Sequence, residues 1–224
     1  MVVAAGNGTR LGLGTPKALV PLHGEPMLTH ALRRLEASGV ADEVVVVVPP
    51  DFPPPSVIMQ SRHPVVVPGG ATRQDSVRLG LAALSADVDV VLVHDAARCL
   101  APPELFRTVA DAVRDGADAV VPGLPVADTV RSVDGETLER HRLRAVQTPQ
   151  GFRRAVLEEA HALAVDQADD ESLAATDDAG LVERAGWRVR VVAGHPEAFK
   201  VTTAHDLRVA EALLAGAADQ HQTP

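Results

Sequence analysis

The chain has 224 residues, of which 46% are hydrophobic and 23% charged, and its formal net charge is −9. This length predicts one domain with a full hydrophobic core, and no apolar run approaches the roughly 18 residues of a membrane span. The negative charge and the aromatic content of 2% argue against a general nucleic-acid binder, which needs a broad basic surface or a stacking platform.

The start of the sequence carries no basic segment followed by an apolar run, so we expect a cytoplasmic protein that is not membrane-bound. The single cysteine, Cys99, has no partner for an internal disulfide or a Cys/His metal site, and we expect a small buried side chain. We predict one domain over residues 1–216, followed by a frayed tail over residues 217–224.

Short valine-rich runs alternate with helical periodicities along the chain. Runs that are apolar on both faces are typical of central strands in a parallel sheet covered by helices on both sides. The pattern therefore predicts a single-domain, Rossmann-like α/β fold with a mostly parallel sheet. The predicted strands are residues 43–49, 64–68, 89–95 and 118–123, the predicted helices are 26–38, 72–84, 103–114, 153–165, 177–185 and 204–215, and the proline-rich segment 49–56 is predicted to be an exposed loop.

Residues 124–147 interrupt this alternation. They contain two short alternating segments around Asp134 and Gly135, a strong hairpin signal, and they would contribute few core residues. The pattern predicts an arm that projects from the sheet. Because an isolated two-stranded ribbon is only marginally stable in water, we expect the arm to pack on a second copy of the chain in a homodimer.

The segment "AAGNGTRLGLGTPK", residues 4–17, combines four glycines with Arg10 and Lys17 and contains no acidic residue. A Walker A loop would place Ser or Thr after the lysine, whereas Lys17 lies between Pro16 and Ala18, which excludes that motif. The dinucleotide-binding fingerprint fits weakly, because its glycine spacing differs and proline delays the following helix.

A third interpretation is a loop that wraps a nucleoside triphosphate. Glycines let the backbone approach a ligand closely, and successive backbone N–H groups can bind an anion. Arg10 and Lys17 would supply positive charge where negative charge develops on phosphorus. The alternative is a flexible loop whose charges are incidental.

Six motifs, taken in order, resemble the 2-C-methyl-D-erythritol 4-phosphate cytidylyltransferase family, and together they extend from residue 2 to about residue 215. They are "AAGNGTRLGLGTPKAL", "GGATRQDSV" at 69–77, "VLVHDAAR" at 91–98, "TPQGF" at 148–152, "TDDAGLVE" at 176–183 and "FKVTTAHDL" at 199–207. The resemblance implies transfer of CMP from CTP to 2-C-methyl-D-erythritol 4-phosphate, with Mg²⁺ bridging the triphosphate and an arm that reaches across a dimer.

The resemblance also implies residue roles. The residues that match charged catalytic positions are Arg10, Lys17, Arg140 and Lys200. The residues that match CTP-binding positions are Ala4, Ala5, Gly6, Gly8, Gly70, Ser76, Asp95 and Ala96, and those that match acceptor-binding positions are Arg98, Thr129, Arg140, Thr148, Thr176 and Lys200. Two other functions stay open: a cytidylyltransferase for another polyol phosphate, such as ribitol 5-phosphate, and a catalytically silent nucleotide-binding protein.

Some of the polar residues in these motifs also have structural interpretations. Asp95 ends an apolar strand, where a carboxylate needs a cation or a strong donor; it would bind Mg²⁺ or a ribose, or form a salt bridge with Arg98. His94 is expected to be structural. Asp75 is expected to begin a helix that Thr72 caps, and Asp177 and Asp178 are expected to be helix-start charges after a Thr176 cap. Ser76 fits either a CTP contact or a first-turn residue, and Lys200 has a surface lysine as its alternative.

Overall fold

The computed structural model describes residues 1–6, 15–51, 63–167 and 177–220. Its sheet has the strand order β10-β7-β9-β6-β1-β4-β5, with β8 also paired to β7. The strands of this sheet are β1 (Val2–Val3), β4 (Val45–Val48), β5 (Val65–Pro68), β6 (Val90–Asp95), β7 (Ala119–Pro125), β8 (Arg144–Val146), β9 (Gln150–Arg153) and β10 (Val189–Ala193), while β2 (Pro21–Leu22) and β3 (Glu25–Pro26) form a separate short hairpin.

Most of the sheet is parallel, as the sequence predicted. β1 is an interior strand, parallel to both β4 and β6, with Val2 opposite Val46 on one side and His94 on the other. β9 is antiparallel to both β6 and β7. The carboxyl ends of β1, β4, β5 and β6 therefore lie along one edge of the sheet, where open α/β folds bind their ligands.

Helices cover both faces of the sheet. They are α1 (Met27–Ser38), α2 (Arg73–Ala82), α3 (Pro103–Arg114), α4 (Arg154–Leu163), α5 (Asp178–Arg184) and α6 (Ala204–Gln220). In β4, Val45 and Val47 point into the cluster formed by α2, α4 and α5, whereas Val46 and Val48 point into the cluster formed by α1 and α3. This burial on both faces confirms the interpretation of the valine run.

The predicted helices all form, with small shifts at their ends. α1 ends where Gly39 takes a left-handed conformation with φ of 69°, and Thr72 caps α2 by accepting a hydrogen bond of 3.0 Å from the Asp75 backbone N–H. α6 continues to Gln220, so the predicted boundary between domain and tail at residue 216 falls inside this helix. Cys99 is buried, as expected, and burial raises the pKa of its thiol to about 12.

One strand prediction was wrong in its position. The valine run of β5 predicts a central strand, but among the described residues β5 pairs with β4 alone, and Val65 and Val66 are 44% and 40% exposed. Valine also favours an edge strand, because its branched side chain fits the pleated backbone whether or not both faces are covered. β9 and β10 of this sheet, and the short hairpin of β2 and β3, were not predicted from the sequence.

The arm, residues 124–147, forms the predicted hairpin. Arg131 bridges Thr137 in antiparallel pairing, and Gly135 takes φ of 93° in the turn. At the base of the arm β8 pairs antiparallel with the end of β7. Val133 at the tip is fully exposed. The arm therefore projects from the sheet and buries little of its own apolar surface.

Among the described residues, no helix combines the length and the apolar character that crossing a membrane requires.

Candidate active site

A cavity of about 480 Å³ opens at the carboxyl edge of the sheet. Its lining comes from the end of β1, the turn after residue 16, the start of α2, the end of β6 and the segment before α6. It includes these residues that the sequence singled out: Ala4, Ala5, Gly6, Lys17, Gly70, Ser76, Asp95, Ala96 and Lys200. The structure thus brings most of the predicted CTP contacts together with both lysines.

Backbone hydrogen bonds fix the floor of this cavity. The Ala4 N–H donates to the Val47 carbonyl at 2.7 Å, and the Ala96 N–H donates to the Val3 carbonyl at 3.0 Å. The Lys17 N–H donates to the Gly6 carbonyl at 3.1 Å, so the two ends of the glycine-rich loop are joined. Residues 7–14 between them, which include the predicted sites Gly8 and Arg10, lie outside the described residues.

The Gly69–Gly70 turn approaches this floor closely. A Cβ atom on Gly69 would lie 2.6 Å from the Ala5 Cβ, so glycine is required there. The Ser76 hydroxyl accepts from the Gly70 N–H at 3.1 Å and donates to the Thr72 carbonyl at 2.8 Å. Ser76 therefore holds the turn and also lines the cavity, which makes its two interpretations compatible.

Asp95 has two cations as partners. Its Oδ1 accepts from Arg73 Nε at 3.2 Å, and its Oδ2 accepts from Lys200 Nζ at 2.8 Å. Burial alone would raise the pKa of this carboxyl, but the charges of Arg73 and Lys200 outweigh burial and hold the pKa well below its usual range. Asp95 is therefore ionised at neutral pH.

The expected salt bridge between Asp95 and Arg98 does not form, so that alternative was wrong. Arg98 instead donates to the Ala198 carbonyl at 2.8 Å and to the Val146 carbonyl at 3.2 Å. Its guanidinium joins the base of the arm to the segment that carries Lys200. Arg98 therefore positions other parts of the site.

A second ion pair continues from Arg73 into the interior. Arg73 Nη1 lies 2.8 Å from Oδ2 of Asp178, and His161 Nε2 donates to Oδ1 of Asp178 at 3.2 Å. The Asp178 side chain is completely buried. Asp178 lies in the first turn of α5, as expected, but the expectation of a Thr176 cap was wrong, because Asp177 is the cap and accepts from the Gly180 N–H at 3.0 Å. Thr176 itself lies outside the described residues.

Thr148 lies beside this cluster but faces inward. Its hydroxyl accepts from the Asp95 N–H at 3.0 Å and lies 3.0 Å from His94 Nδ1. Burial lowers the pKa of His94 to about 3, so the ring is neutral and structural, as expected. The Thr148 hydroxyl is thus engaged with internal partners and holds the end of β6.

The two remaining predicted sites, Thr129 and Arg140, lie exposed on the arm and do not line the cavity of their own chain. Arg140 donates to the Ala127 carbonyl within the arm.

Sequence reasoning missed Arg73, although it lies in the quoted motif "GGATRQDSV". It also missed that Lys17 and Lys200 are the only lysines among the 21 basic residues of the chain. Since both line the same cavity, lysine was a stronger signal for this site than arginine. Within the described residues, no group of three or more His, Cys, Asp or Glu side chains is arranged to hold a metal ion.

This sheet, with a cationic cavity at its carboxyl edge, defines a nucleotide-binding α/β protein. The family model for 2-C-methyl-D-erythritol 4-phosphate cytidylyltransferase matches residues 1–216, and the chain belongs to this family. A family member from Saccharopolyspora erythraea is 54% identical over 96% of this chain and 98% of its own length. The crystal structure of the enzyme from Thermus thermophilus superposes with a TM-score of 0.81 at 38% identity, over 96% of this chain and 97% of that one.

A more distant structure has the same fold. The 4-diphosphocytidyl-2C-methyl-D-erythritol synthase from Anaerococcus prevotii superposes with a TM-score of 0.81 at 26% identity, covering 96% of this chain and 94% of that one. The fold prediction and the family resemblance are both confirmed.

Proposed function

We propose that the cavity at the carboxyl edge of the sheet carries out the reaction of the family, transfer of CMP from CTP to 2-C-methyl-D-erythritol 4-phosphate. A phosphate oxygen of the acceptor attacks the α-phosphorus of CTP, the bond between the α-phosphorus and the bridging oxygen breaks, and pyrophosphate leaves with that oxygen. The observation that carries the proposal is that both lysines of the chain face one cavity, whose floor is backbone from Ala4 to Gly6.

In this proposal the nucleotide lies against the backbone at the sheet edge. Ala5, Gly6 and Gly8 would provide N–H groups for the triphosphate and the base, whereas the Ala4 N–H holds this segment to β4 at the cavity floor. The Gly70 turn, held by Ser76, closes the other side. Asp95 and Ala96 lie where the ribose would be. A backbone edge fixed by hydrogen bonds would orient the α-phosphorus for attack, and orientation accounts for much of the rate in phosphoryl transfer.

Charge at the α-phosphorus comes from Lys17 and Arg10. Lys17 begins a short 3-10 turn whose first N–H is hydrogen-bonded to Gly6, so its side chain starts from a fixed point on the cavity wall. Preorganised cations of this kind stabilise the extra negative charge of the transition state. Direct attack needs no protein nucleophile, which fits a buried Cys99 whose thiol pKa is raised to about 12.

The residues fit a Mg²⁺ ion that is carried mainly by the triphosphate. Asp95 is the only carboxylate among the described lining residues, and its two described partners leave it capacity for further contacts. Magnesium in such sites is bound through one or two carboxylates plus substrate phosphates. When bound, the ion would neutralise part of the triphosphate charge.

The acceptor would be bound from two directions. Lys200 lines the cavity and Thr176 belongs to the same chain, while Arg98 and Thr148 would act by holding the backbone around the cavity. Thr129 and Arg140 lie on the arm. Since the arm residues do not line their own cavity, we include in the proposal a homodimer in which each arm completes the partner's site. We also include a cytoplasmic location, because CTP and a phosphorylated polyol are highly charged and do not diffuse across membranes.

A turnover assay with matched acceptors tests this function. Purified protein, CTP and Mg²⁺ are incubated with 2-C-methyl-D-erythritol 4-phosphate or with ribitol 5-phosphate, and released pyrophosphate is measured. We expect a kcat/KM at least about a hundredfold higher for the methylerythritol substrate, the size of discrimination that a pocket with specific polar contacts achieves. A preference for ribitol 5-phosphate, or no turnover with either acceptor, would contradict the proposal.

A further inference from the structure

Arg73 is the first residue of α2 and lies between two carboxylates that belong to distant parts of the chain. Its Nε donates to Asp95 at the carboxyl end of β6, and its Nη1 faces Asp178 in the first turn of α5. The side chain is 22% exposed and lines the cavity. One guanidinium thus connects the cavity to the beginning of α5.

The contact with Asp95 has a consequence for Lys200. The Lys200 ammonium, on a side chain 40% exposed, has Asp95 as its ion-pair partner in the cavity. Because Arg73 binds the other oxygen of the same carboxylate, Asp95 divides its negative charge between two cations. Lys200 is then only partly neutralised, and most of its charge stays available to a phosphate in the cavity.

The contact with Asp178 fixes Arg73 in this role. Asp178 is completely buried and also accepts from His161, so its carboxylate is held from two sides. Gln150 secures the same helix start: its amide nitrogen donates to Asp177 at 2.8 Å and its oxygen accepts from the Ala179 N–H at 3.2 Å. The guanidinium is therefore anchored on a rigid part of the interior.

We propose that Arg73 is a positioning residue for the transfer reaction, which shares the Asp95 carboxylate with Lys200 and so keeps the Lys200 ammonium available to the phosphate of the acceptor. This proposal rests on the proposed function. It assigns Arg73 an action through Lys200, with no substrate contact of its own.

A charge count gives the direction of the effect. Lys200 and Arg73 carry two positive charges, and Asp95 and Asp178 carry two negative ones, so the four side chains sum to zero. Without Arg73 the sum is −1, and Asp95 becomes the full counter-ion of Lys200. An anionic acceptor then meets a less favourable field, which raises its KM by at least about tenfold while kcat changes less.

A double-mutant cycle tests the proposed route. The variants are Arg73→Gln, Lys200→Gln and the double variant. Arg114→Gln is the matched control, because Arg114 also pairs with an aspartate on a helix but lies beside Val90 at the opposite edge of the sheet. Acceptor KM and kcat are measured at saturating CTP, acceptor Kd is measured by calorimetry without turnover, and thermal melting monitors folding.

We expect the double variant to lie within about threefold of Lys200→Gln alone, because Arg73 has no role to lose once Lys200 is absent. Arg73→Lys keeps the charge but lacks the planar fork, so its KM should lie between the wild type and Arg73→Gln. If Arg73→Gln does not fold, the cycle is run with Arg73→Lys. Arg114→Gln should keep the wild-type KM.

Multiplicative losses in the double variant, or an Arg73→Gln enzyme with the wild-type KM and Kd for the acceptor, would overturn the proposal and leave the proposed function intact. A lower melting temperature with an unchanged KM would show a purely structural role and overturn it as well. A wild-type chain that neither binds nor converts the acceptor would overturn both proposals together.

Discussion

At the carboxyl edge of the sheet, Asp95 and Asp178 lie buried and are paired with cations from other elements, whereas Thr129 and Arg140 lie exposed on the arm, where Arg140 bonds within the arm itself. The cavity includes side chains that constrain one another through ion pairs and hydrogen bonds. The arm presents Thr129 and Arg140 on a ribbon that has little core of its own. The difference is that one chain forms the cavity from mutually bonded side chains, while the arm has few contacts outside itself.

The largest effect on stability should come from removing one charge from the ion-pair cluster of Arg73, Asp95, Asp178 and Lys200. Asp178→Asn leaves Arg73 without one of its two carboxylates, and breaking a buried ion pair on one side costs about 3 kcal/mol of unfolding free energy. Asp111→Asn, in an exposed pair with Arg114, should cost less than about 0.5 kcal/mol. Urea denaturation measures both, and equal losses in the two variants would remove the distinction between buried and exposed charges.

The pH dependence of stability follows from the same carboxylates. The pKa values of Asp95 and Asp178 are both depressed: burial alone would raise them, but Arg73 and the other positive or donor partners outweigh it. Their stabilisation is therefore complete above the unfolded-state pKa of about 3.9 and is lost as pH falls below it. We expect the unfolding free energy of the wild type to decrease below about pH 4, and Asp178→Asn to show a shallower decrease. An identical dependence of unfolding free energy on pH in the two proteins would contradict an ionised Asp178 paired with Arg73.

Lys17→Ala should lower kcat by at least about a hundredfold, the range for a lost charge-stabilising donor, without lowering the melting temperature. Arg114→Ala serves as the control because it removes a cation at the opposite edge of the sheet. Steady-state kinetics at saturating CTP and acceptor measure the effect. A Lys17→Ala enzyme with near wild-type kcat would refute the role of Lys17 and leave the cavity as a binding site only.

Mixing two inactive variants tests whether the arm serves a neighbouring chain. Lys17→Ala chains lack the cavity cation, and Arg140→Ala chains lack the arm cation, so each homodimer should have low activity. After random exchange of subunits, half of the dimers contain both variants, and one of their two sites is intact. Activity should therefore recover to about a quarter of wild type. No recovery after exchange would show that the arm does not complete a neighbouring site. A monomer mass in sedimentation would show that the proposed dimer does not form.

The smallest effect belongs to the tip of the arm. Gly135 takes φ of 93°, which a Cβ atom strains, so Gly135→Ala should weaken the hairpin by about 1 kcal/mol. Because the hairpin lies outside the core, the melting temperature of the chain should be almost unchanged, while hydrogen exchange of the Leu138 amide should become faster. A large drop in melting temperature would show that the arm and the core unfold as one unit.

Periodicity in the sequence predicted the helices and strands whose apolar residues recur at regular spacing. α3 forms over the predicted residues 103–114 because its apolar positions recur at helical spacing. β9 was not predicted because it is short and contains Gly151, which has low strand propensity. Its place between β6 and β7 depends on tertiary packing: a Cβ on Gly151 would lie 2.6 Å from Val109 of α3.

The site was predictable where single residues fall in motifs and unpredictable where residues act together. Lys17, Lys200 and Asp95 were each identified from the sequence, and they do line one cavity. The Arg73 bridge was not, because it joins residues 73, 95 and 178, and only the folded chain shows that these lie together. For the same reason the sequence suggested the wrong partner for Asp95. Arg98 is close to Asp95 in sequence, but the Arg98 guanidinium donates to two backbone carbonyls.

The placement of both lysines in one cavity makes lysine chemistry specific to this site. Reactive lysines are usually scattered over a protein surface, but here both lysine residues line the cavity proposed to bind the phosphates. A reagent that acylates lysine should therefore report the occupancy of the cavity, and CTP should protect Lys17 from modification. Peptide mapping by mass spectrometry would then follow substrate binding directly, with no added label or engineered residue.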